Sequence, residues 1–182
     1  MRTQQRPLER LAGDQMSLAF RKPAVTAIPG EMDPASPDFN VFESLFYLMA
    51  HADFKYHEDL DVIMAKVAVD RTTYRLMGIL LQVRRGGIKT LCEYALLKPS
   101  TGSRAIERMR ENGWVKTETS TTDARETDVE LTPLGKKVAM GLREVTSRQL
   151  HRAVDGLSAM ELRQLATCLH KIGGNLSRLP IE

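Results

Sequence analysis

Hydrophobic positions recur at three- and four-residue steps over most of the chain, the period of a helix with one buried face. Phe42, Leu45, Phe46, Met49, Ala52, Tyr56, Leu60 and Ile63 form the first stripe and predict a long helix over about 40–66, after Pro37 and Asp38. Tyr74, Met77, Leu80 and Leu81 predict a second, capped by Asp70 and ended by Gly86-Gly87, with Arg84-Arg85 in its last turn. A short third helix is expected over about 89–96. Leu97-Lys98 then turns a tight corner, and Pro99 opens a fourth helix that reaches Asn112 and stops at Gly113. There the period shortens. Residues 114–119 and 127–131 are rich in Val and Thr and predict a two-stranded hairpin with a polar tip over 120–126. Thr132 and Pro133 start a fifth helix, carrying Leu134, Val138, Leu142 and Val145 on to Val154. Gly156 breaks it, and Ser158 begins a last helix whose Leu162, Leu165, Leu169, Ile172 and Leu176 make a heptad seam.

The fold expected is mainly α with a small two-stranded β wing. Five of the eight prolines fall in the first 37 residues among Gly, Ser and Gln, so residues 1–37 read as a flexible tail, with at most a short helix over 8–20. Residues 38–69 then form a first helix, 70–132 a compact lobe, and 133–182 two C-terminal helices. With 182 residues and 42% hydrophobic side chains the chain can bury a core, and 5% aromatics beside 27% charged residues favours helices over a sandwich. Two cysteines cannot build a disulfide scaffold, no apolar run approaches 18 residues, and no signal-peptide pattern opens the chain. A cytoplasmic protein without membrane contact is the expectation.

The net charge is only +3, but its distribution is uneven. From Arg84 to Arg110, seven cations (Arg84, Arg85, Lys89, Lys98, Arg104, Arg108, Arg110) face only Glu93 and Glu107. From Asp38 to Asp70, seven acids face Lys55 and Lys66. Two short helices joined by a tight corner and followed by a hairpin is the layout of a winged helix-turn-helix, whose second helix enters the major groove. The stretches Ile88-Lys-Thr-Leu-Cys-Glu, Ser100 to Val115, Asp123-Ala-Arg125 and Leu131-Thr-Pro-Leu-Gly135 sharpen that reading. From about Leu45 onward the chain resembles the MarR family of dimeric transcriptional regulators. The resemblance rests on a helix ending in Gly-hydrophobic-Val, a wing Asp-x-Arg and a following Leu-Thr-x-x-Gly. It implies a homodimer, joined through the first and last helices, on a pseudo-palindromic double-stranded operator with half-sites about one helical turn apart.

Ser100, Thr101 and Ser103 are small and hydroxylated, letting the fourth helix bring its N-terminal N–H groups to a phosphate. Arg104 suits a bidentate contact to guanine or phosphate, and Arg108 lies one turn further on. Arg125 at the wing suits the minor groove, with Asp123 to orient it. These seven residues are the expected DNA contacts; Lys89 and Lys116 are expected to meet phosphate only. The chain departs from the family pattern at three places. Gly102 interrupts the recognition helix at about 1 kcal/mol relative to Ala, read as room for close approach to DNA. Cys92 stands where the family usually has Ala and reads as a small packing residue. Pro99 replaces a common basic residue.

Family members commonly respond to small aromatic acids or to oxidants. Oxidant sensors carry a cysteine near the start of the first long helix, and this helix has none; an oxidant-sensing repressor is the alternative reading. For a ligand the resemblance points to the cleft between dimerisation helices and DNA-binding lobe. Tyr47 and His51 share one helical face with Phe54 a turn on, Arg71 suits a carboxylate, and Tyr74 lies near it. Together they suit a hydroxylated aromatic or pyridine carboxylate. The cluster His57-Glu58-Asp59 with Asp61 reads as a solvated face rather than a metal site. With no phosphate loop, nucleophile elbow or metalloprotease motif, no enzyme, cofactor or metal is expected.

Overall fold

A computed structural model describes residues 27–120 and 125–178. The short helix expected over 8–20, most of the expected tail, and Asp123 lie outside them. The chain divides inside its first long helix, at His51/Ala52. Before that division, two 3-10 turns, Gly30–Met32 and Val41–Glu43, are tied by the Asn40 N–H donating to the Glu31 carbonyl at 2.9 Å. Asn40 Oδ1 accepts from the Phe42 N–H at 3.1 Å, and Ser44 is extended (ψ 131°). The helix expected from residue 40 therefore begins later, as α1 Leu45–Ala65, because the Asn40 cap stabilises a single turn and Ser44 interrupts it.

Beyond the division, the elements after α1 run α2 Arg71–Val83, β1 Arg85–Gly87, α3 Ile88–Tyr94, α4 Pro99–Glu111, β2 Val115–Thr119, β3 Thr127–Leu131, α5 Pro133–Ala153 and α6 Ala159–Arg178. The boundaries follow local chemistry. Asp70 Oδ1 accepts from the Thr73 N–H at 2.7 Å and starts α2. Pro99 stands in the first turn of α4, and Gly113 ends it at φ 68°. Thr132 Oγ1 accepts from the Gly135 N–H at 3.0 Å to cap α5, while its hydroxyl donates to the Gly113 carbonyl at 2.6 Å. Ser158 and Glu161 cap α6 reciprocally: Glu161 Oε2 accepts from the Ser158 N–H at 2.7 Å and the Glu161 N–H donates to Ser158 Oγ at 3.3 Å.

The sheet holds a strand more than the expected hairpin. Its order is β1-β3-β2, all antiparallel, with Gly86 opposite Val129 and Thr117 opposite Val129 from the other side. Gly86-Gly87 does not terminate α2. Arg84 does so, with φ 67°, and the two glycines lie in β1, where a Cβ on Gly87 would stand 2.9 Å from Glu126 Oε2. The core contains Leu60 and Met64 of α1, Leu76, Met77 and Leu80 of α2, Leu91 of α3, Ile106 and Met109 of α4, Val129 and Leu131 of β3, and Leu142 of α5. Each such large side chain contributes about 1.5–3 kcal/mol through burial.

Two glycines seat α4 and α5. A Cβ at Gly135 would lie 1.9 Å from the Trp114 carbonyl oxygen, so α5 starts in backbone contact with the residue preceding β2. That explains the Leu-Thr-x-x-Gly motif physically. At Gly102 a Cβ would lie 2.2 Å from Cys92 Sγ. Gly102 is buried and points at α3, so its small size serves helix–helix packing, correcting the expectation that it opens the helix to DNA. Cys92 is buried, 1% exposed, as expected of a packing residue.

Gly102→Ala will therefore lower stability by about 1–3 kcal/mol through overpacking, despite the better helix propensity of alanine. Adding Cys92→Ala will recover most of that loss in urea unfolding. Equal stability of Gly102→Ala and the parent would show that the contact is soft.

Candidate nucleic-acid interface

The turn between α3 and α4 is closed by the Leu97 N–H donating to the Cys92 carbonyl at 2.9 Å, with Leu96 left-handed at φ 54°. That turn sets which side of α4 is free. Gly102, Ala105, Ile106 and Met109 point inward, while Ser100, Thr101, Ser103, Arg104 and Arg108 are exposed. Lys98, the N-cap residue of α4, makes no side-chain cap, so the positive end of the helix macrodipole is left for an anion.

The three expected arginines differ in their surroundings. Arg104 makes no hydrogen bond or ion pair with any described residue. Arg108 is engaged: its Nη2 donates to Asp70 Oδ2 and, at 3.3 Å, to Thr73 Oγ1. Arg125 is exposed and, with Ile88, Lys89, Pro99, Glu126 and Thr127, lines a groove of about 320 Å³. The start of α3, the start of α4 and the base of the wing thus meet at one groove carrying two cations, Lys89 and Arg125. Arg110, on the same helix, is held by Glu107, whose carboxyl sits below its ordinary range because of that hydrogen bond.

The outer sheet face has different electrostatics. Lys116 lies 3.1 Å from Glu130 and 3.4 Å from Glu118, while Arg85 pairs with Asp128 at 2.9 Å and Glu118 at 3.1 Å. Hydrogen bonding to Glu130 raises the Lys116 ammonium pKa, and the same contact lowers that of Glu130. These cations are already matched by carboxylates within the sheet.

The residues expected to meet a ligand fall in two places. Tyr47 and His51 stack with centroids 5.9 Å apart and planes 6° from parallel, and Phe42 meets Tyr47 edge-on at 5.5 Å. On α2, Arg71 Nε donates to both Asp61 oxygens at 2.8 and 2.9 Å, and its Nη2 to Oδ2 at 2.6 Å. That fork holds the Asp61 carboxyl below its ordinary range. Tyr74 opens into a cleft between α2 and α5, about 310 Å³, with a floor of Met77, Ala139 and Leu142. Gln82, Arg143 and Thr146 supply its polar groups, and Arg143 makes no ion pair with a described residue. A Cβ at Gly78, on the cleft wall, would touch nothing within 4 Å, so protein packing does not require that mid-helix glycine. The sequence pointed to a cleft of this kind and to Tyr74, but missed Gln82, Arg143 and Thr146; the uncompensated glycine in a good helix was the one local signal on its wall.

Burial pushes the Cys92 thiol pKa up, the opposite of what a reactive cysteine needs. His57 Nδ1 lies 2.9 Å from the Asp53 carbonyl oxygen. Among the described residues no group of three His, Cys, Asp or Glu side chains is placed to hold a metal, and no helix is long and apolar enough to cross a membrane.

Residues 78–135 match the model of a winged helix DNA-binding domain. The chain is 29% identical over 147 residues to the HTH-type transcriptional repressor IacR of Pseudomonas putida, spanning 81% of this chain and 88% of that one. Its fold is similar to that of a MarR family transcriptional regulator from Silicibacter pomeroyi (TM-score 0.70, 24% identity, 79% of this chain and 94% of that chain). It is also similar in fold to Bordetella bronchiseptica BpsR, whose DNA binding is regulated by 6-hydroxynicotinic acid (TM-score 0.63, 15% identity, 71% and 98%).

The Asp61 fork yields a pH expectation. A carboxyl whose folded pKa is lowered stabilises the fold above its unfolded pKa and loses that contribution as pH falls through the folded value. The Asp61–Arg71 pair will therefore persist through neutral and mildly acidic pH. Carbon-detected NMR titration should place Asp61 below an unpaired aspartate, and Arg71→Gln should return it to the ordinary range. An unchanged midpoint in that variant would deny the pair.

Proposed function

We propose that this chain is a member of the MarR family of winged-helix DNA-binding transcriptional regulators, a homodimeric repressor that binds a pseudo-palindromic operator in the cytoplasm and is released by a small aromatic or pyridine carboxylate; the winged-helix match, the repressor relative and the shared fold support that reading. The observation that carries the DNA reading is the outward face of α4. A helix start without a side-chain cap, three small hydroxyl residues and Arg104, which pairs with no described residue, stand beside the groove lined by Lys89 and Arg125. Ser100, Thr101 and Ser103 approach the backbone, Arg104 reads a base edge, and Arg125, oriented by Asp123, enters the minor groove.

Dimerisation is supported by apolar surface that one protomer leaves uncovered. Leu165, Leu169 and Leu176 of α6 are 52%, 41% and 56% exposed along the heptad seam. A two-fold dimer places two α4 helices on successive major grooves, which makes the operator a palindrome.

The ligand reading rests on separate features. Tyr47 and His51 offer a stacked aromatic pair. Arg71 offers a bidentate cation, which a ligand carboxylate would take over from Asp61. Tyr74 opens onto the cleft where Arg143 provides a second guanidinium, in no ion pair with a described residue, over an apolar floor sized for one ring. The regulation of BpsR by a hydroxylated pyridine carboxylate supports this chemistry. Coupling of about 1–3 kcal/mol between ligand and DNA would change occupancy roughly 5- to 150-fold.

Fluorescence anisotropy on the chain's own upstream intergenic DNA, at fixed salt, tests both parts. Arg104→Ala is expected to weaken specific binding by about 1–3 kcal/mol; unchanged affinity would contradict the assignment of α4. One member of a panel of hydroxybenzoates, hydroxycinnamates and pyridine carboxylates should relieve binding by the parent. Arg71→Gln or Arg143→Ala should bind the same DNA yet lose that relief; full relief in both would refute the carboxylate contacts.

A further inference from the structure

Arg108 occupies the exposed face of the recognition helix, where its charge alone would make it a DNA contact. Its geometry gives it another role. Nη2 donates to Asp70 Oδ2 and to Thr73 Oγ1, while Asp70 Oδ1 accepts from the Thr73 N–H at 2.7 Å. One carboxylate therefore uses one oxygen to cap α2 and the other to hold α4, and the threonine whose N–H is capped supplies its hydroxyl to the same guanidinium. Thr73 is 2% exposed, so one end of the contact is fixed in the core. Elsewhere on α4, Arg110 pairs with Glu107 of its own helix and Arg104 pairs with no described residue. Arg108 thus differs from both by bridging α4 to another element 38 positions back in sequence.

We propose that Arg108 is a positioning residue, a latch that fixes the angle of α4 against the capped start of α2, and that the base and phosphate contacts come from its neighbours. The proposal rests on the DNA-binding reading for its consequence, but the latch itself is a property of the free protein. Its loss leaves the positive face of α4 in place and loosens the pose from which Arg104 reaches a base. Specific binding then falls more than non-specific binding, because non-specific attraction to phosphates needs charge and not orientation.

A double-mutant cycle with Asp70→Asn and Arg108→Gln decides between the roles. Asparagine remains a good helix cap, so Asp70→Asn keeps the start of α2 while removing the carboxylate that holds Arg108. Specific DNA affinity is expected to fall roughly 3- to 10-fold in each single variant and by about the same amount in the double. The slope of affinity against salt should not change in Arg108→Gln, whereas a lost phosphate contact would lower it by about one. Amide hydrogen exchange without DNA should show faster exchange along α4 in both singles, with no further increase in the double.

Additive losses, a lowered salt slope in Arg108→Gln, or unchanged or tighter binding in Asp70→Asn would overturn the latch and make Arg108 a DNA contact. Unchanged exchange in both variants would overturn it without reference to DNA. A parent protein that binds no DNA specifically would refute the regulator reading, and the exchange data would still decide the latch.

Discussion

The outward face of α4 depends on how closely α4 can sit on α3. At Gly102 there is no room for a side chain: Cys92 Sγ occupies the place where a Cβ would stand, 2.2 Å away. Because the inward side of α4 is spent on that contact and on Ala105, Ile106 and Met109, Ser100, Thr101, Ser103 and Arg104 face outward. A larger residue at either position would push the helix off its seat and carry those outward residues with it, since close-packed interiors transmit displacement rather than absorb it. The Cys92 and Gly102 pair conserves volume across one contact, one residue larger and the other smaller.

The wing and the C-terminal helices hang from a second close approach. Gly135 lies against the Trp114 carbonyl, and Thr132 both caps α5 and donates to the Gly113 carbonyl. The end of α4, the entry to β2 and the start of α5 are thus fixed at one point. β1 then pairs with β3 and brings the end of α2 to the sheet, so the wing is anchored along an edge as well as at its root. Charges on the outer sheet face are matched in place by Arg85, Lys116 and their carboxylate partners.

Much of this was legible in the sequence because its punctuation is local. Asp70, Thr132 with Pro133, Ser158 and Gly113 each act on residues within a turn, and each stands where its chemistry predicts. What could not be read depends on distant partners. Arg85-Gly86-Gly87 looks like a helix stop until Val129 is known to lie opposite Gly86. Gly102 looks like an opening toward DNA until Cys92, ten positions earlier, is seen to face it. Arg108 looks like one more cation on a basic helix; only the fold shows that Asp70 lies within reach. Arg143 stood in a helix read for its apolar stripe, and the cleft it serves needs α2 beside α5 to exist.

The central claim is that two copies of this α4 surface read one two-fold DNA site, and hydroxyl-radical footprinting on DNA selected by the protein from a random pool tests it most directly. The account predicts symmetric protection of two half-sites whose centres lie about one helical turn apart, roughly 10 base pairs, with protection of the flanking minor grooves by the wings. A single unsymmetric patch, or uniform protection without an enriched sequence, would contradict it.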